Sequence, residues 1–132
     1  MGLKISELPV VNYMTPYPIS VKLDVTFDNA VDFMARRGFG NLIVSEGTFP
    51  VGILTEREIL QAVALKKDTS KLKVKDLGTQ SYVKITPDTG ILEAANTMIS
   101  RKSRLLVFAD DDKLVGIITA SDMLRAFRKT DE

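Results

Sequence analysis

Apolar residues at Phe27, Ala30, Val31 and Met34 recur at helical spacing and stop at Gly38, which predicts an amphipathic helix closed by a glycine. Upstream, Pro16 and Pro18 mark an extended lead-in to a short strand at Ile19–Val21. Downstream, the apolar run Leu42–Val44, the turn residues Glu46-Gly47-Thr48 and a second run from Pro50 to Leu54 predict a β-hairpin. From Thr55 a further helix carries Ile59, Leu60 and Val63 on one face. The same order then returns: strand Val83–Ile85, helix Gly90–Ser100, strand Leu105–Ala109, a turn at Asp110-Asp111-Asp112, strand Leu114–Ile118, and a helix from Thr119. Both halves read β-α-β-β-α, so the expected fold class is α/β (α+β). The repeated Met and aromatic positions on the helical faces are expected to be core.

The two halves are copies. Residues 10–62 align without a gap on residues 74–126 at a constant offset of 64, and 13 of the 53 pairs are identical. The identities include Ala30/Ala94, Met34/Met98, Gly52/Gly116, Ile53/Ile117, Thr55/Thr119 and Leu60/Leu124, while Glu58/Asp122 keep their chemistry. The unit is too long for most solenoid repeats, and two copies are too few for an array. The expected organisation is a first domain over 1–65 (core 10–62), a polar linker over 66–73 and a second domain over 74–132 (core 74–126). The two are expected to pack sheet to sheet with pseudo-two-fold symmetry. Each half is near the size that is only marginally stable alone, so a homodimer is also expected, with Met123, Leu124 and Phe127 as its surface.

Composition narrows the chemistry. The 132 residues are 45% hydrophobic and 27% charged, with net charge +1, which is ordinary for a soluble globular protein and gives no general field for nucleic acid. The basic linker residues Lys66, Lys67, Lys71, Lys73 and Lys75 do not change that expectation. No apolar run approaches about 18 residues and no charged-then-apolar leader is visible, so a cytoplasmic protein with no membrane contact is expected. Met1-Gly2 with Ser6 fits a loose acylation pattern, which nothing else in the chain supports. The chain has no Cys and no His, which removes thiolate nucleophiles, Cys-based metal sites and the usual proton shuttle. Asp110–Asp112 lacks the spaced ligands of a calcium loop and reads as a solvated turn. No metal site and no positioned nucleophile with its base can be assembled, so an enzyme is not expected.

The repeated segment Gly-Ile-x-Thr carries the candidate chemistry. Gly52 and Gly116 lack a Cβ, so a flat ring could approach the strand there. Thr55 and Thr119 stand where strand gives way to helix, and the free amides of a helix start attract phosphate. Three residues on, the carboxylate of Asp122 or Glu58 is an acceptor able to take both hydroxyls of a ribose. Ring, sugar and phosphate together describe an adenine nucleotide. The same residues also read as capping boxes, the threonine capping the helix and the carboxylate reaching back to the cap amide. Aspartate is a shorter partner for that box than glutamate, which leaves Asp122 the better candidate for a ligand and Glu58 the better cap. Thr119 can serve both ends.

This pattern resembles the cystathionine-beta-synthase-type (CBS) domain pair, or Bateman module. Gly116-Ile117-Ile118-Thr119-Ala120-Ser121-Asp122 matches the family's Gly-h-h-Thr/Ser-x-x-Asp segment, and Gly52-Ile53-Leu54-Thr55-Glu56-Arg57-Glu58 departs only at its last position. Tyr13-Met14-Thr15-Pro16 with Ile19 and Val21 matches the family's domain start. The resemblance implies two clefts between the repeats that bind adenosine-containing ligands. One would use Ile117, Thr119, Ser121 and Asp122 facing Thr15, Ile19 and Ser20, with Phe39 on its wall. Arg104 lies where relatives that hold phosphates place a basic residue; its counterpart is Gly40, and an ordinary surface arginine is the alternative. The second cleft would use Ile53, Thr55, Arg57 and Glu58 facing Thr79, Val83 and Lys84. The resemblance further implies a non-catalytic regulatory module, with AMP, ADP or ATP as ligand and no required cofactor, that signals through an effector protein or through self-association into a flat dimer. The alternative is a ligand-free dimerisation or docking module.

Overall fold

A computed structural model describes residues 4–38 and 40–128, so Phe39 and the Met1-Gly2 start lie outside the described residues. Among the described residues, two sheets and four α-helices form the mixed α/β architecture that the patterns predict. The elements are β1 (Thr15–Pro16), β2 (Ser20–Lys22), α1 (Phe27–Arg37), β3 (Asn41–Glu46), β4 (Phe49–Thr55), α2 (Glu56–Ala64), β5 (Tyr82–Ile85), α3 (Ile91–Arg101), β6 (Arg104–Phe108), β7 (Leu114–Ile118) and α4 (Ala120–Phe127). Short 3-10 turns fill the lead-in and linker segments.

Two compact units are present. One consists of residues 19–81; the other joins residues 1–18 to residues 82–132. They follow packing rather than the repeat boundaries 1–65 and 74–132. In the 19–81 unit, β2 and β3 are parallel around α1, and β3 and β4 form the antiparallel hairpin. After α2 the chain runs back along the β2–α1 connection. There Val74 N–H donates to Val25 at 2.8 Å and Lys75 N–H donates to Leu23 at 2.9 Å. Val74 and Leu77 thereby enter a core of Val21, Ala30, Leu42 and Leu54.

In the second unit, β5 and β6 are parallel, β6 and β7 are antiparallel, and β1 extends the sheet as the outer neighbour of β7. Val10, twin of Val74, sits fully buried against Ile91, Leu105 and Ile118, and its N–H donates to Thr89 at 2.7 Å. The identical Val10/Val74 pair thus does one job, each member in the unit built mainly from the other repeat. A local hydrophobic pattern sets which residues want burial, but not which copy receives them.

Met34 and Phe27 are core as expected, whereas Phe33 on the same helix is exposed, and Leu60, Val63, Leu124 and Phe127 lie at the surface. The buried members of α2 and α4 are Glu58 with Ala62, and Asp122 with Ala126. Ile59 and Met123, beside the caps, are partly buried against the two cores.

Candidate functional site

Each strand-to-helix joint is closed by a capping box. Thr55 and Thr119 hold nearly identical extended backbone, φ −118 and −120, as N-caps of α2 and α4. In the 19–81 unit, Glu58 Oε1 accepts Thr55 N–H at 2.6 Å and the Thr55 hydroxyl at 2.7 Å. Its Oε2 accepts the Gln80 side-chain amide at 2.6 Å. In the other unit, Asp122 Oδ2 accepts Thr119 N–H at 2.8 Å and the Thr119 hydroxyl at 3.2 Å. Its Oδ1 accepts the Thr15 hydroxyl at 3.1 Å and the Arg125 guanidinium one helical turn on.

Both carboxylates are buried, Glu58 to 4% and Asp122 to 1% exposure, and no buried side-chain polar atom among the described residues lacks a partner. Aspartate therefore closes the same box as glutamate. Its box bonds are longer than those of Glu58, as the shorter reach predicts, and with Thr15 and Arg125 four donors in all reach Asp122, about the number a carboxylate can take.

The space above the glycines is also filled. A Cβ on Gly52 would lie 2.4 Å from Thr79 Oγ1 and 2.7 Å from Thr79 Cβ; one on Gly116 would lie 2.4 Å from Met14 Sδ. Both glycines permit close passage of a leading segment, which is paired to the strand there. Ile53 exchanges both backbone hydrogen bonds with Gln80, and Thr15 stands opposite Ile117 on β7. The gap that the sequence opens for a flat ring is, in each unit, occupied by protein.

The predicted site residues thus divide between the units. Thr15, Ile117, Thr119 and Asp122 are brought together in one, with Ser121 exposed in the first turn of α4 and Arg104 half-buried at the start of β6. Val83 and Lys84 belong to the same unit, on β5. The Lys84 ammonium pairs with Asp112 and lies 4.6 Å from the centre of the Phe108 ring. Ile53, Thr55, Glu58 and Thr79 come together in the other unit, where Arg57 is exposed on α2 and its N–H donates to Thr55 Oγ1 at 3.3 Å. Ile19 and Ser20 lie in that unit also, at the start of β2. Phe39 is outside the described residues.

Three residues at the joints escaped the sequence reading: Met14, Gln80 and Arg125. Arg125 had a signal, its spacing of three from Asp122 on a helix. Met14 and Gln80 had none beyond adjacency to the predicted Thr15 and Thr79.

Among the described residues no cluster of three His, Cys, Asp or Glu stands ready for a metal, and no helix is long and apolar enough to cross a membrane. What the joints offer is a pair of helix starts rich in donors, each fixed by a buried carboxylate.

The chain is 27% identical over 127 residues to an uncharacterized protein of Methanopyrus kandleri, covering 94% of this chain and 62% of that relative's length. In three dimensions it is similar to an uncharacterized conserved protein from Pyrococcus horikoshii, at TM-score 0.80 and 26% identity over 96% of this chain and 97% of that one. It is also similar to CBSX2 in complex with AMP, at TM-score 0.72 and 27% identity over 90% and 95% of the two chains. The sequence pattern of the CBS domain matches residues 5–65 and again residues 74–129, and so the chain, repeated strand-threonine-helix joint included, belongs to the CBS domain family as a tandem pair.

Proposed function

We propose that this CBS pair is a non-catalytic sensor of an adenine nucleotide, AMP, ADP or ATP, acting at its strand-to-helix joints. The observation that carries the reading is the joint itself: a helix start with a hydroxyl cap and a buried carboxylate beside a glycine, built twice. The similarity to an AMP-bound CBS protein supports the same ligand class. Phosphate would be met by the helix starts with Thr55, Arg57, Thr119, Ser121 and Arg104. The apolar positions Ile19, Ile53, Val83 and Ile117, with Phe39, would line the base, and Ser20, Thr79 and Lys84 would complete the polar shell.

Because the carboxylates are already bonded, a ribose binds by exchange. Its hydroxyls take the place of Thr15 and Arg125 at Asp122, or of Gln80 at Glu58, with the caps left intact. Ligand therefore competes with the leading segments for the same oxygens. It shifts the population of their packing by its differential affinity for the two arrangements. That change is relayed to an effector protein or to a second copy of the chain.

Calorimetric titration with AMP tests this. Hydrogen bonds to a charged group are worth roughly 1.5–3 kcal/mol each, so Asp122→Asn, which preserves a capping oxygen, lowers affinity at least about tenfold. Glu58→Gln lowers it less if the Asp122 joint is the principal one. Unchanged binding by Asp122→Asn removes the ribose assignment. A second reading, a ligand-free docking module, is favoured by the completeness of both hydrogen-bond sets; failure of every adenosine ligand to raise the melting temperature would establish it.

A further inference from the structure

The lead-in segments of the two units are built alike and charged oppositely. In the 19–81 unit, residues 71–75 run antiparallel to residues 23–27: Phe27 N–H donates to Leu72 at 2.9 Å, Val74 N–H donates to Val25 at 2.8 Å, and Thr26 stands opposite Lys73. Leu23, Val25, Phe27, Leu72 and Val74 pack into the core. The alternate residues Lys22, Asp24, Thr26, Lys71, Lys73 and Lys75 are all exposed, so one face of this ribbon carries four lysines against one aspartate. Of these lysines only Lys71 has an ion-pair partner among the described residues, Asp68 at 3.9 Å, and that pair is open to solvent. Asp76 accepts the Lys73 backbone N–H at 2.9 Å and pairs with no ammonium there.

The twin ribbon shows that the fold does not ask for this charge. In the other unit Ile91 N–H donates to Leu8 at 2.9 Å, Val10 N–H donates to Thr89 at 2.7 Å, and Pro9 stands opposite Gly90, which is the same construction bond for bond. At the offset of 64, Lys71, Lys73 and Lys75 correspond to Glu7, Pro9 and Val11, and Lys22 corresponds to Thr86. Asp24 has Asp88 as its twin, so that face holds two acids and no base. A row of like charges repels itself, and a ribbon that closes equally well without lysine leaves the row no structural purpose.

We propose that this lysine face docks an extended acidic segment of the effector protein, with carboxylates at alternate positions. Side chains on one face of an extended segment recur every second residue, which is the sequence period of Lys71, Lys73 and Lys75. Carboxylates fit better than a nucleic acid because every cation on the face is lysine. Phosphates are matched best by the bidentate fork of arginine and unpaired bases by aromatic rings, and none of the six positions holds either. Nor does any of them carry an apolar side chain to anchor the face in a lipid surface. The proposal rests on the relay to an effector protein in the function above, but not on nucleotide binding, which the AMP titration tests separately.

Fluorescence anisotropy with a dye-labelled peptide of alternating Glu and Ser reads the face directly. The parent is expected to bind the peptide at low ionic strength and to release it as salt rises. Lys71→Gln, Lys73→Gln and Lys75→Gln together weaken that binding about tenfold. Lys4→Gln, Lys102→Gln and Lys113→Gln together remove the same charge from the other unit and change it less than about twofold. The first triple variant melts no lower than the parent, as the lysine-free twin ribbon predicts; a lower melting temperature returns the lysines to the fold and overturns the proposal. Equal weakening by the two triple variants overturns it also, because net charge then explains the binding, and so does a parent that fails to bind the peptide at low salt. A single-stranded oligonucleotide or phosphatidylserine vesicles that bind more tightly than the peptide, with the same loss in the first triple variant, give the face to a nucleic acid or a membrane instead.

Discussion

Truncating either buried carboxylate to alanine is expected to cost about 3 kcal/mol. Asp122→Ala removes the acceptor of Thr119 N–H, the Thr119 hydroxyl and the Thr15 hydroxyl at once, in a place that water does not reach. Loss of a cap costs roughly 1 kcal/mol, and each buried donor left unsatisfied roughly 1–3 kcal/mol. The Arg125 contact adds little, because that guanidinium is more than half exposed. Glu58→Ala strips Thr55 and Gln80 in the same way. Urea unfolding at fixed protein concentration measures both variants, with Asp122→Asn and Glu58→Gln as controls that keep an acceptor. Alanine variants within about 0.5 kcal/mol of the parent would mean that the boxes do not hold the joints. The same experiment separates stability from sensing, since the amide controls keep the fold while giving up the charge that a ribose would need.

Gly52→Ala is expected to destabilise by about 1–3 kcal/mol, and Gly116→Ala by less. The new Cβ at residue 52 lands 2.7 Å from Thr79 Cβ, an atom that cannot move without its backbone. The next residue, Gln80, is tied by two backbone hydrogen bonds to Ile53, which holds that backbone in place. At residue 116 the obstacle is the Met14 thioether, on a side chain with three rotatable bonds that can swing aside. A double-mutant cycle reads the difference: Thr79→Gly should recover most of the Gly52→Ala loss, giving a coupling above about 1 kcal/mol. Additive effects would show that the clash is relieved some other way. If the proposed ligand enters at the joints, the more rigid Thr79 joint would resist a ring more than the Met14 joint. On the proposed function, the joint at Asp122 is accordingly the one at which exchange is expected to be easier.

Secondary structure was legible because its signals are local. Gly38 ends α1 in the left-handed conformation that glycine favours, Thr55 and Thr119 cap helices, and the Asp110–Asp112 segment turns a hairpin, each as the chain pattern requires. The duplication at a fixed offset fixed the order of elements and the family. The strand-threonine-helix joints were found from the spacing of glycine, threonine and carboxylate alone.

Tertiary structure decided the rest. Which repeat receives Val10 and which receives Val74 depends on long-range pairing of β1 with β7 and of Gln80 with Ile53, and no periodicity records that choice. The partners of the carboxylates follow from it: Thr15 lies 107 residues from Asp122 in the chain and 3.1 Å away in space. Sequence spacing named Asp122 and Glu58 as acceptors, but only the folded joints show that those acceptors are already occupied. An apolar stripe such as Ile59, Leu60 and Val63 states that a helix has an apolar side. Whether that side meets its own core or is left for another surface depends on how much room the sheet leaves beneath it. Here that room went to Glu58, Ile59 and Ala62, and Leu60 and Val63 stayed outside.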